Sequence, residues 1–281
     1  MKLLRTIFTS LSLFALLSCG TGAESDDSQT LALLALASAP QSVNLNFEAL
    51  ANGQNLTTGS NITANARTVQ FRDFRLFVSE VKMLRADGTT ADVTLTTDNV
   101  WQANGVALLD FESTQTTDTN LKVTGSAPAG AYTGIQYTVG VPESLNHLDR
   151  TTQVSPLNIG PMYWAWTSGY KHSKIEFSFD SGTTWTNLHV GSTNCTGAPN
   201  YGNCGKKYRA SIQLTGSINP SNQTISLSVD QLIKDHTGGI NTTCMPAQAG
   251  ADCTPLIRAF GINETSGAVD SSISQRVFSL K

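Results

Sequence analysis

The chain has little charge, little histidine and no long apolar run, and each shortage removes a class of function. Only 14% of its 281 residues are charged, the net charge is -3 and no basic cluster occurs. Nucleic acid is thereby excluded as a partner, because binding it needs clustered Lys and Arg. No apolar stretch reaches the roughly 20 residues that a membrane-crossing helix needs. The four histidines, His147, His172, His189 and His236, form no His-x-His or His-x3-His pair, so the motif of a zinc hydrolase is missing. There is no Gly-x-Ser-x-Gly, and the alternating strand–helix pattern of the hydrolases that carry it is absent. Asp110 and Glu112 lie two residues apart on one face. Paired glycosidase carboxylates stand about 5 Å or more apart and come from different strands, so these two read as partners for Arg72 or Arg75. Nothing in the sequence supports an enzyme.

What is present begins at the N-terminus. Lys2 and Arg5 precede an apolar segment from Ile7 to Leu17, which runs into Leu16-Leu17-Ser18-Cys19. This resembles a bacterial lipoprotein signal, cleaved after residue 18 to leave a lipidated Cys19; a plain secretory signal is the alternative. Acyl chains on Cys19 would anchor the protein to a membrane. Gly20 after the Cys fits sorting to the outer membrane, with the protein periplasmic or surface-exposed. Residues 19–41 read as a tether, acidic at Glu24, Asp26 and Asp27 and then apolar from Leu31 to Ala39. In an oxidising compartment, Cys195 with Cys204 and Cys244 with Cys253, each pair enclosing eight residues, predict two short-loop disulfides among three possible connectivities. A zinc site is the rival, but its usual close Cys spacing is missing.

Residues 42–281 read as one all-β domain, an antiparallel sandwich or barrel with long loops. Val43, Leu45 and Phe47 alternate as a first strand. Thr68 to Met83 is a long strand on which Phe71 and Phe77 are expected to share a face, with a bulge needed to bring Phe74 onto it. Asp87-Gly88 marks a hairpin turn. Val100 to Glu112 is apolar and central, and Asp230 to Lys234 is one short helical turn. The stretch from Pro156 to Phe177 is the most distinctive. Met162, Trp164 and Trp166 alternate, Ser168-Gly169 breaks the run, and Ile175, Phe177 and Phe179 resume it. On a strand the first three share one face. A core-filling aromatic hairpin is the plain reading of this stretch.

Several segments together resemble the methanobactin-associated MbnP family, also described as metallo-mystery-pair proteins with a four-Cys motif. They are FRDFRLFVSEVKMLRADGT, WQANGVALLDFE, Gly140-Val141-Pro142 with Leu145-Asn146-His147, PLNIGPMYWAW with SGYKH, and LHVGSTNC. The resemblance implies a periplasmic or outer-membrane β protein that binds copper as Cu(I). It also implies that a Trp is oxidised to kynurenine by a di-haem cytochrome c peroxidase-like (MbnH-like) partner. Carried onto this chain, His147 and His189 take the family's histidine positions, and Trp101 or Trp164 the place of the modified Trp. Met162 is a weaker soft donor for Cu(I); His172 is not carried over. The family's other Cys pair is missing here, from ALANGQNL and DFESTQTT, while Cys195 and Cys204 remain and Cys244 and Cys253 belong to this chain. The competing expectation is a structural or ligand-binding β-sandwich lipoprotein without metal.

Overall fold

A computed structural model of the chain describes residues 39–165, 167–198, 201–237, 243–246 and 251–281. The signal segment, Cys19, most of the tether and Trp166 lie outside the described residues. Residues 40–281 form one compact unit, built as two packed sheets. The first orders the strands Phe278–Leu280, Gln223–Ser228, Gln41–Ala51, Lys122–Ala127 and Thr94–Leu95. The second orders Ala210–Thr215, Gly134–Val139, Arg67–Leu84, Gly169–Ser178, Thr186–Gly191 and Thr243–Cys244, with further short strands paired to its members. Neighbours run antiparallel except where Gln41–Ala51 meets Gln223–Ser228 and Thr186–Gly191 meets Thr243–Cys244. Among the described residues neither sheet closes on itself. The expected all-β sandwich is what the chain forms.

The core between the sheets follows from alternation. Val43, Leu45 and Phe47 of the first sheet face Phe71, Phe74, Leu76, Ile175, Phe177 and Leu188 of the second, all buried. The long strand corrects one expectation. Its register against Gly169–Ser178 shifts between Glu176 and Phe177, which leaves Arg72 as the extra residue. That bulge turns Phe74 onto the face of Phe71, and normal alternation then sends Phe77 to the opposite face. Phe77 packs there in a second, smaller cluster with Val106, Leu108, Leu157, Met162 and Tyr170.

Loops therefore cover the outer face of the second sheet. All ten residues of Gly169–Ser178 are buried, although every second one is the kind that usually meets water. Buried polar groups must be partnered, and their partners build the site described next. Both expected disulfides, Cys195–Cys204 and Cys244–Cys253, form. The short helix Val229–Ile233 stands where a helical turn was expected, its N-cap Ser228 accepting from the Gln231 N–H. Among the described residues no helix is long and apolar enough to cross a membrane.

Candidate metal centre

Antiparallel register brings charged residues of four strands together on that outer face. Asp73 stands opposite Glu176, Arg75 opposite both Lys174 and Asp110, and Lys174 opposite His189. Arg75 Nε donates to Asp73 Oδ1 at 2.8 Å. Lys174 bridges Asp73 and Glu176, reaching Glu176 Oε1 at 2.8 Å. Arg72, the bulged residue, donates from Nε to Glu176 Oε2. Asp73, Arg75, Asp110 and Glu112 are 0–2% exposed, so water screens little of this field. Glu112 is closed off by its own loop, accepting from the N–H groups of Thr114 and Gln115 and from the Thr116 hydroxyl.

His189 sits at the edge of the network. Its Nε2 lies 2.8 Å from Glu176 Oε1. Burial by itself would raise the Glu176 pKa, but the hydrogen bonds from His189 and Lys174 and the Lys174 charge outweigh it and hold the carboxyl well below its usual range. An ionised carboxylate only accepts, so Nε2 carries the proton and Nδ1 carries the bare lone pair. That Nδ1 is buried and has no hydrogen-bond partner. Burial, opposed by the Glu176 bond and helped by the charges of Lys171 and Lys174, pushes the His189 pKa down. The imidazole is neutral at ordinary pH and presents one unused donor nitrogen. On this observation the residues fit a histidine-bound metal: one ring nitrogen on a carboxylate and the other free is the arrangement of metal-binding histidines.

Two residues further along the same strand, Gly191 supports Trp164. Trp164 lies on the short strand Tyr163–Ala165, whose Tyr163 pairs with Tyr170. Lys171 Nζ stands 5.9 Å from its ring centroid and donates to the Pro161 carbonyl at 2.7 Å; burial and the nearby Lys174 charge push that ammonium down to about 8. Trp164 forms one wall of a cleft of about 430 Å³, lined also by Thr167, Ser168, residues 192–195, Met245 and Pro246.

Through Cys195 the cleft adjoins His147. The His147 ring and the sulfurs of Cys195 and Cys204 offer atoms within 4.8 Å of one another, the one such His/Cys/Asp/Glu group among the described residues. Both sulfurs are spent in the disulfide, so neither is a thiolate ligand. Asn146 Oδ1 accepts from the Tyr170 N–H, which leaves Asn146 Nδ2 to donate to His147 Nε2 at 3.0 Å. The same nitrogen lies 3.1 Å from Cys204 Sγ.

The structure thus places Trp164 and Cys195 on one cleft, with His147 held by Asn146 against the Cys195–Cys204 disulfide and His189 held by Glu176, two residues before Gly191. Trp101 and Met162 go elsewhere: Met162 is fully buried in the smaller cluster under the loops, and Trp101 packs against that cluster. His172 uses both nitrogens internally, Nδ1 accepting from the Val141 N–H at 3.2 Å and Nε2 facing Ser192 Oγ and the Lys207 carbonyl. Burial with the Arg209 charge pushes it down to about 3. His236 leaves Nε2 unpartnered, yet its ring packs on Phe177 and Phe179. Glu176, Lys171, Gly191 and Met245 were missed as site residues. The first two carried a signal, being charges inside an otherwise apolar aromatic stretch.

Two packed sheets, the second with a loop-covered outer face, a disulfide at the rim and a carboxylate-held imidazole define a β-sandwich protein with a candidate histidine site. The MbnP family model matches residues 40–248, and the chain belongs to the MbnP family. Among solved structures it is similar to MbnP from Methylosinus trichosporium, with 26% identity, 86% of this chain and 98% of that chain covered, and a TM-score of 0.72. No curated protein matches the sequence.

Proposed function

We propose that the chain is a lipid-anchored copper-binding protein of the bacterial envelope, not itself an enzyme, holding Cu(I) on histidine nitrogen beside Trp164. The observation that carries this reading is the buried, unpartnered Nδ1 of His189, whose ring is held from the other side by Glu176. His189 and His147 would hold the ion. Neutral imidazole suits copper, and the bound ion would supply a soft Lewis-acid centre. Family membership supports copper as the metal. Of the two tryptophans, Trp164 is favoured for conversion to kynurenine by a di-haem MbnH-like partner. It lines the cleft and lies on Gly191, two residues from His189, whereas Trp101 packs on an apolar cluster. Opening its indole would leave an aryl amine at the cleft as a further nitrogen donor. Lipidation of Cys19 would hold the domain at the outer membrane, facing the periplasm or the cell surface.

The test is intact-mass and tryptic mass spectrometry of protein purified from its native host, with metal analysis of the same sample. Stoichiometric copper together with the tryptophan-to-kynurenine mass change on the Trp164 peptide is expected. Unmodified tryptophan and no copper, in cells that express the haem partner, would overturn the reading. The cleft would then belong to a β-sandwich lipoprotein that takes an organic ligand.

A further inference from the structure

We infer that Glu176 is a positioning residue that locks His189 in the Nε2–H tautomer and so makes Nδ1 the metal-binding atom; this rests on the reading of His189 as a ligand. Three strands converge on the Glu176 carboxylate. Arg72 arrives from the bulge of Arg67–Leu84, Lys174 from the same strand as Glu176, and His189 from Thr186–Gly191. Asp73 holds Lys174 from the far side and is itself held by Arg75. With two cations and an imidazole on two oxygens, the carboxylate has its acceptor sites occupied and its orientation set. It has no proton to offer His189.

The opposite tautomer would fail at both ends of the ring. It would aim a bare Nε2 at a carboxylate oxygen 2.8 Å away, and it would leave an N–H on Nδ1 where no acceptor stands. A buried donor without a partner and two lone pairs in opposition are both unfavourable. The bulge at Arg72 acquires a role from this. Without the extra residue the long strand would not deliver Arg72 and Asp73 to opposite ends of the Lys174–Glu176 pair. The ionic network then serves to hold one ring in one state, since buried ion pairs contribute little net stability to a fold.

The experiment reads the His189 ring nitrogens by long-range proton–nitrogen correlation NMR in the metal-free protein at neutral pH, and then Cu(I) affinity by competition with a chromogenic chelator. In the unsubstituted protein a protonated Nε2 and a bare Nδ1 are expected. Glu176→Gln, whose amide can present either a donor or an acceptor, is expected to give mixed tautomers and Cu(I) binding weaker on the order of 10–100-fold. Glu176→Asp keeps the charge but withdraws the oxygen, and is expected to give the same mixture. Glu48→Gln, far from the network and paired with Lys281, is expected to change neither readout. A proton on Nδ1 in the unsubstituted protein overturns the inference without need of any variant, as does an unchanged tautomer in Glu176→Gln. If the tautomer behaves as stated but His189→Ala leaves Cu(I) affinity intact, the copper reading falls while the tautomer lock stands.

Discussion

The Trp164 ring lies directly on Gly191: a Cβ at residue 191 would fall 2.5 Å from Trp164 Cζ3 and 2.6 Å from the Tyr170 carbonyl oxygen. The ring occupies the volume that any other side chain would fill, so the strand that carries His189 is also the floor beneath the tryptophan. Gly191→Ala should displace the ring toward the cleft and cost about 1–3 kcal/mol of stability, as overpacking does. Thermal unfolding would measure the cost, and tryptophan fluorescence would report a more solvated indole. An unshifted spectrum with unchanged Tm would show that the ring does not rest there.

Asp110 predicts a pH dependence of opposite sign to that of Glu176. Burial pushes its carboxyl up to about 7, against the Glu112 N–H and the Arg75 charge, which pull it down. A group whose pKa is raised by folding stabilises fully below its unfolded value, and that contribution is lost as pH rises through the folded value. The window runs from 3.8 to about 7. Asp110→Asn should therefore gain stability relative to the unsubstituted protein as pH rises across that window, then level off. Urea midpoints in a pH series would show it. Glu176, held low in the fold, contributes above the ordinary carboxylate range and loses that contribution as pH falls, so a difference curve of the reverse slope would assign the effect to the wrong carboxyl.

Met162 separates packing from ligation. It is fully buried among Phe77, Val106, Leu108, Leu157 and Tyr170. Met162→Ala should cost about 2–5 kcal/mol, the usual range for such a truncation in a core, and Met162→Leu less than about 1.5 kcal/mol. Copper uptake by Met162→Leu is expected to match that of the unsubstituted protein. Loss of uptake in a well-folded Leu variant would make the thioether a ligand.

Much of the fold was legible because alternation is a local property. Val43, Leu45 and Phe47 face the core as their spacing requires, the hairpin at Asp87-Gly88 turns as expected, and each matched Cys pair closes on itself. The faces of the long strand were not legible beyond Phe71. One extra residue at Arg72 reverses the phase from Phe74 to Val78, its position set by the register against Gly169–Ser178, and a second register shift near Glu80, against Gly134–Val139, returns Val81 and Met83 to the core. The aromatic stretch was only partly legible. Among the described residues, 160–162 form a 3-10 turn and strand begins at Tyr163, so Met162 enters the smaller cluster and Trp164 the cleft.

By itself the sequence determined the β class and the two disulfides, since these depend on residue type and short spacing. It also placed His147 and His189 among five residues worth testing, through the resemblance of motifs in series. Only the tertiary structure decided which imidazole nitrogen is left bare. His189 is distant in sequence from Arg72 and Asp73, and the carboxylate that orients it is brought to 2.8 Å from Nε2, with its cations around it, only when three strands pack together. A hydrogen bond of that kind has no sequence period, because it is made by register, burial and charge together.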